Sequence, residues 1–308
     1  MSTPRVAAIH DLSGFGRCSL TIVIPTLSAL GAQCCPLPTA YLSTHTGGFT
    51  GNTFLDLTGQ IAPTAAHWRD CGVTFDAVYT GFMGSREQMS LTADFIESFR
   101  PCLAVTDPVM GDHGRTYRTY TPPMCRAMVR LAEQADVITP NRTEAAILLG
   151  EDYEALRLDT EADCRRWAEA LSLEGRRSVV LTGAAPGQRD RAGAVCFDRT
   201  SGRTDFVSAP LAPGQFHGTG DLFASVLTGA LVRGYVLAEA AQLAADFTSL
   251  CALRTGDLPV REGLDFEPLL WRLGQAAEEG RSPQRRYNQA EQHQRHQHAD
   301  NDAGNQLH

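Results

Sequence analysis

The sequence holds 308 residues, 43% of them hydrophobic and 20% charged, with a formal net charge of −8. That balance describes a globular chain large enough for a sizeable core, and with no basic block in its body it speaks against a nucleic-acid surface. The nine cysteines show no CxxC or Cys/His zinc spacing, residues 1–10 lack a signal-peptide pattern, and no apolar run reaches spanning length, so a reduced cytoplasmic protein without a membrane partner is expected.

Short apolar runs alternate with segments of helical period. Strands are predicted at residues 6–9, 34–37, 77–80, 103–106, 137–139 and 178–181, with helices between them at about 20–30, 86–99, 122–135, 142–149 and 160–174. Gly31 and Gly150 stand where helix ends favour a left-handed residue. Such alternation predicts an α/β fold, a mostly parallel sheet with helices on both faces. A hairpin follows, 194–197 and 204–208 turned at Thr200-Ser201-Gly202, then helices at about 218–233, 236–254 and 265–277.

Two segments break the rhythm. Residues 38–62, rich in Thr, Gly and Ser, read as a loop at the carboxyl ends of strands, a substrate wall or flap. From about residue 279 Gln, Asn, His and Arg dominate. A segment of that composition buries too little to order itself, so residues 1–278 are expected to form one domain and 279–308 a polar tail. Its His293, His296 and His298 are assigned no role.

The chemistry concentrates at four turns. Gly218-Thr219-Gly220-Asp221 opens a helix, where glycines let amides without helical partners face an anion. Asp221 beside them can accept a proton from a hydroxyl while the amides hold developing charge; equally, Thr219 can cap the helix and Asp221 favour its dipole. Asp107 and Asp112 flank a Pro/Gly turn at the end of the fourth predicted strand, hard oxygens suited to Mg²⁺ or a turn bonding its own backbone. Thr139-Pro140-Asn141-Arg142-Thr143-Glu144 ends another strand, with Glu144 near metal-bound water and Asn141 near phosphate, or with both forming a capping box. Phe82, in Thr80-Gly81-Phe82, can stack on a flat ring or pack in the core. Doubly wound sheets gather such strand ends into one crevice, which favours the functional readings taken together. No Walker motif is present, and Gly14 and Gly16 after the first strand do not match a dinucleotide fingerprint.

These pieces in this order resemble the ribokinase superfamily and, within it, the pyridoxal kinases, over residues 6–255. Ser43-Thr44-His45-Thr46-Gly47 is similar to that family's SNHTG, Thr80-Gly81-Phe82 to its TGY, Asp107 to Asp112 to its DPVxGD, Thr139 to Glu144 to its TPNxxE, and Gly218 to Phe223 to its GTGDLF. The resemblance implies a three-layer ribokinase-like sandwich that transfers the γ-phosphate of ATP to the 5′-hydroxymethyl of pyridoxal, pyridoxamine or pyridoxine. It makes Asp221 the base and Gly218, Thr219 and Gly220 the anion hole. Asp107, Asp112 and Glu144 would hold Mg²⁺ and its waters, while Asn141, Thr139, Thr182, Gly183 and Thr219 would lie along the nucleotide phosphates. Asp11, Thr46, His45 and Phe82 would meet the vitamer. The resemblance also implies a homodimer and leaves room for a monovalent cation. Asp11 stands where many pyridoxal kinases carry Ser, which suits an amino-bearing substrate, and Phe82 replaces the usual Tyr. Two alternatives stay open: a hydroxymethylpyrimidine kinase of thiamine synthesis, and a non-catalytic binder of B6 or nucleotide.

Overall fold

The structure, a computed structural model, describes residues 3–279. Of the tail predicted over 279–308, Glu279 closes the last helix, and residues 280–308, with His293, His296 and His298, lie outside the described residues. The chain begins with β1 (Arg5–Phe15), α1 (Leu20–Ala29), β2 (Gln33–Thr44), β3 (Phe54–Asp56), α2 (Thr58–Asp70), β4 (Ala77–Thr80) and α3 (Arg86–Phe99). It continues through β5 (Leu103–Thr106), β6 (Gly111–Asp112), β7 (Arg115–Thr116), α4 (Pro122–Ala132), β8 (Val137–Ile138), α5 (Arg142–Leu149) and α6 (Glu161–Leu171). Then come β9 (Ser178–Thr182), β10 (Arg191–Asp198), β11 (Arg203–Pro210), α7 (Thr219–Val232), α8 (Leu237–Thr255) and α9 (Leu270–Glu279).

Nine strands form one sheet in the order β11-β10-β9-β8-β5-β4-β1-β2-β3. The six strands from β9 to β2 in that order are parallel neighbours, and antiparallel strands close both margins. Val6 and Ala8 pack on one face with α1, α7 and α8, while Ala7 and Ile9 pack on the other with α2, α3 and α4. A strand buried on both faces has no polar side, which is why residues 6–9 read as an unbroken apolar run. The result is the predicted three-layer α/β fold. Because β1 pairs with β2 on one side and β4 on the other, the chain reverses direction across the sheet there. A crevice opens outside the carboxyl ends of the strands at such a switch point.

The predicted loop 38–62 is corrected in part. Strand β2 continues to Thr44, β3 pairs back on it, and α2 begins at Thr58. Gly59 and Pro63 resemble helix breakers, and only Ile61 and Ala65 of α2 are buried, so the helical period is faint in the sequence. The first strand likewise runs to Phe15 and not to residue 9. Beyond a register irregularity between His10 and Leu12 the backbone goes on pairing with β2, Leu12 with Tyr41 and Phe15 with Thr44. Asp11, Ser13 and Gly14 look like loop chemistry, yet backbone bonds that their side chains do not announce keep them in the sheet.

Candidate active site

At the start of α7 the first intrahelical bond runs from the Leu222 N–H to the Gly218 carbonyl. The amides of Thr219, Gly220 and Asp221 therefore lack helical acceptors at the positive end of the dipole. Thr219 does not cap; Gly218 takes that place with φ 83°, and Thr219 is the first helical residue. The entry angle demands a left-handed residue, and a Cβ on Gly218 would lie 2.6 Å from Ile22 Cδ1 and closer still to the Arg17 carbonyl.

Asp221 in that first turn accepts the Ser19 N–H on Oδ2 at 2.9 Å. Burial raises its carboxyl to about 6 against the lowering effect of that N–H, with the charge of Asp11 adding to the rise. Asp107, at the end of β5, is buried and accepts the Thr139 hydroxyl on Oδ1 at 3.1 Å. Burial and then the charge of Asp221 push Asp107 up to about 7. Its Oδ2 faces Gly220, 3.8 Å from where a Cβ there would stand. The two acids from β5 and α7 thus share one crevice, and none of the ion pairs among the described residues involves either.

Asn141 and Glu144 do form the capping box of α5: Asn141 Oδ1 accepts the Glu144 N–H at 3.0 Å, and Glu144 Oε2 accepts the Asn141 N–H at 2.9 Å. Glu144 Oε1 takes the Met110 N–H at 3.1 Å, and Asn141 Nδ2 donates to the Gly111 carbonyl at 2.9 Å. These bonds tie the turn after β5 to the start of α5. Glu144 is nonetheless held well above the usual carboxylate range, by burial first and then by the charge of Asp107. Asp112 behaves differently. The β6–β7 hairpin carries it outward, its side chain is 53% exposed, and Oδ1 accepts the His113 N–H at 2.7 Å. Among the described residues no three His, Cys, Asp or Glu side chains converge to cage a metal ion. Mg²⁺ does not require such a cage, since it keeps several waters and takes one or two carboxylates plus phosphate oxygens. Buried Asp107 and Glu144 fit that demand.

Raised carboxyls make a stability statement. In the unfolded chain Asp107 titrates near 3.8, and in the fold at about 7. The protonated form is thus favoured by folding, and its contribution is present below pH 4 and lost as pH rises toward 7. Asp107→Asn removes that loss, so the melting temperature of the variant should exceed that of the ligand-free wild type by about 2–6 °C at pH 8 and by less at pH 5. A difference that stays constant with pH would contradict the assignment.

The residues expected around a flat ring are placed as follows. Phe82, half-buried after β4, meets Tyr120 edge-on at 6.0 Å between centroids. Thr46 is exposed. His45 is buried, Nε2 donates to the Arg261 carbonyl at 2.7 Å, and Nδ1 accepts the Gly47 N–H at 3.0 Å, so both ring nitrogens are occupied. Its ring lies 5.0 Å from that of His217, which directly precedes Gly218. Asp11 is buried, with Oδ1 taking the Ser19 hydroxyl at 2.6 Å and Oδ2 the Ser13 hydroxyl at 3.1 Å. Thr182 ends β9 with Gly183 directly after it, and Thr182 bonds the Pro140 carbonyl. Ser19, His217 and Arg261 were not legible as site residues. Ser19 reads as an ordinary helix cap, and only the position of His217 beside Gly218 offered a hint.

Comparisons with known proteins converge on one group. The family model for phosphomethylpyrimidine kinase matches residues 24–261. A Bordetella bronchiseptica pyridoxine/pyridoxal/pyridoxamine kinase is 31% identical over 78% of this chain and 85% of its own. A Bacteroides thetaiotaomicron structure classed as a phosphomethylpyrimidine kinase, crystallised with pyridoxal, is 41% identical, with TM-score 0.82 over 88% of this chain and 96% of that one. The pyridoxal kinase of Lactobacillus plantarum is 31% identical, with TM-score 0.82 over 90% and 99%. The chain spans about half the length of two other curated relatives, from Caenorhabditis elegans and Oryza sativa, at 46% and 47%.

Proposed function

The chain belongs to the phosphomethylpyrimidine kinase family, and we propose that within it the protein phosphorylates the 5′-hydroxymethyl of pyridoxal, pyridoxamine or pyridoxine with ATP. One observation carries the reading: Asp221 stands in the first turn of α7, beside amides with no helical acceptor, at the carboxyl end of the parallel strands. In this reading Asp221 accepts the proton of the attacking hydroxyl, and the Thr219, Gly220 and Asp221 amides hold charge building on the transferred group. Thr139, Asn141, Thr182 and Gly183, at the ends of the adjacent strands β8 and β9, lie on the nucleotide side. Asp107 and Glu144 would hold Mg²⁺, with Asp112 on the hairpin as the third acid of the set. Mg²⁺, when bound, neutralises phosphate charge. Thr46 and Phe82 contact the vitamer, and His45 holds the loop that carries Thr46. The absence of lysine from the whole chain means that no lysine can trap an aldehyde product as a Schiff base.

Residues 1–278 act as one kinase domain, supported by the single sheet through the described residues. Homodimerisation is part of the proposal and is supported by Phe15, Tyr41, Phe54 and Leu55, left exposed along the β1–β3 margin. Among the described residues no helix is long and apolar enough to cross a membrane; the cytoplasm is the proposed location.

The second reading is a hydroxymethylpyrimidine kinase, favoured by the description of the family model and by an Oryza sativa protein named as a thiamine biosynthetic bifunctional enzyme, 26% identical over 85% of this chain. ADP release measured with pyridoxal, pyridoxamine and hydroxymethylpyrimidine in parallel separates the two readings. Turnover of the pyrimidine alone would overturn the B6 assignment, and no turnover of any of them would leave a binder.

Glu144→Gln tests the metal side. Gln keeps the shape but presents a donor to one of two N–H groups, so the melting temperature should fall by about 2–6 °C. The lost charge should also raise the Mg²⁺ concentration for half-activity several-fold. A fall in stability without that second shift would confine Glu144 to its capping box.

A further inference from the structure

We infer that Asp11 and Ser19 form a positioning pair that holds Asp221 for proton transfer, so that Asp11 acts through the protein and not through the substrate; the inference rests on the kinase reading above. The observation that prompts it is a backbone outlier. Ser19 has φ 49° and ψ −132°, a combination natural to glycine at the first corner of a type II′ turn and strained for a residue with a Cβ. Helix α1 does not require it. A serine that caps a helix sits in extended geometry with its hydroxyl on the third amide, as Ser85 does before α3 at φ −151° and ψ 160°. Ser19 makes no side-chain cap, although its carbonyl accepts the Ile22 and Val23 N–H groups at 2.9 and 3.0 Å.

The twist accomplishes something else. It aims the Ser19 N–H at Asp221 Oδ2, 2.9 Å away and 202 residues along the chain. The freed hydroxyl drops onto Asp11 Oδ1 at 2.6 Å, where the carboxylate can hold it as a charge-assisted bond. Asp11 Oδ2 is braced in turn by the Ser13 hydroxyl at 3.1 Å, and Asp11 is 5% exposed. A strained residue persists only where its surroundings over-determine it. Here the two over-determining bonds are one to the proposed base and one to a buried carboxylate. With Oδ2 fixed by Ser19, Oδ1 is the oxygen left to take the substrate proton. With its oxygens bonded to the Ser19 and Ser13 hydroxyls, Asp11 is assigned to holding Ser19 and not to choosing among vitamers.

The test is steady-state kinetics with pyridoxal and pyridoxamine on Asp11→Ala, Ser19→Ala and Ser19→Gly, each alone and with Asp221→Asn. Asp11→Ala and Ser19→Ala should lower kcat about tenfold or more, by the same factor for both vitamers, with KM within about twofold. Ser19→Gly adopts the backbone angle without strain and should keep more kcat than Ser19→Ala. In the Asp221→Asn background the same changes should move the residual rate less than about twofold, because their effect is routed through that carboxylate. A KM increase confined to pyridoxamine, or losses that add fully to Asp221→Asn, would overturn the inference. Hydrogen exchange at the Ser19 amide needs no turnover and should quicken in Asp11→Ala. If the wild type phosphorylates neither vitamer, the B6 reading fails by itself, and unchanged Ser19 protection is then the separate result that sinks the positioning pair.

Discussion

Replacing Asp221 by Asn should cut turnover by about 10²–10⁴-fold while nucleotide and vitamer still bind. The substitution is nearly isosteric, and the Asn oxygen can still accept the Ser19 N–H that now reaches Oδ2 at 2.9 Å. The loop before α1 and the start of α7 should therefore hold. What disappears is the capacity to take a proton. The wild-type carboxyl, raised to about 6, is ionised about ten to one at pH 7 yet basic enough to share a proton with an attacking hydroxyl. The rate of the wild type should accordingly fall as pH drops below about 6, since the protonated acid cannot serve. The Asn variant should lose that limb. Calorimetric binding alongside kcat measurements checks both halves. A variant that retains more than about a third of wild-type kcat would remove Asp221 from the chemistry.

Gly218→Ala should be nearly as damaging, through geometry alone. At φ 83° an added Cβ is strained in any surroundings, and here it would also strike the Arg17 carbonyl and Ile22 Cδ1. Strain and overpacking together should cost about 2–4 kcal/mol, a fall in melting temperature of about 5–15 °C. Relief must come from shifting α7 against the Arg17–Ser19 loop, which moves Asp221 and its amides together, so activity should fall about hundredfold. Gly220→Ala is the control, because the nearest atom to its Cβ would be Asp107 Oδ2 at an ordinary 3.8 Å. It should melt near the wild type. A Gly218→Ala protein with wild-type melting temperature would show that the entry to α7 tolerates another path.

Some elements were readable from local pattern and some were not, for separable reasons. The core strands announced themselves because burial on both faces leaves a run such as Val6 to Ile9 without polar interruption. Helix α5 was marked at both ends, by Asn141 with Glu144 and by Gly150 at φ 68°. Helix α2 and the far half of β1 were not, because one buries only Ile61 and Ala65 and the other carries Asp11, Ser13 and Gly14. Their stability comes from partners distant in sequence. Gln88 on α3, for example, donates to the Thr39 carbonyl at 3.0 Å and to Thr58 Oγ1 at 2.9 Å, fastening the start of α2 to β2.

The same division runs through the candidate site. Residue type and spacing were enough to bring forward Asp107, Glu144, Gly218 and Asp221, since glycine turns and carboxylates at strand and helix ends carry their chemistry locally. Ser19 meets Asp221 only when α7 closes on the start of α1, and His45 meets Arg261 only when the segment after α8 packs against the end of β2. Hydrogen bonds such as Ser19 to Asp221 and His45 to Arg261 span 202 and 216 residues, and no local pattern encodes the partner. Chemistry that a residue carries on its own side chain, and conformations set within one turn, were determined by the sequence. Which carboxylate lies buried beside which, and therefore how far its proton affinity rises, was decided by the fold, because burial and mutual charge depend on what the rest of the chain packs around the group.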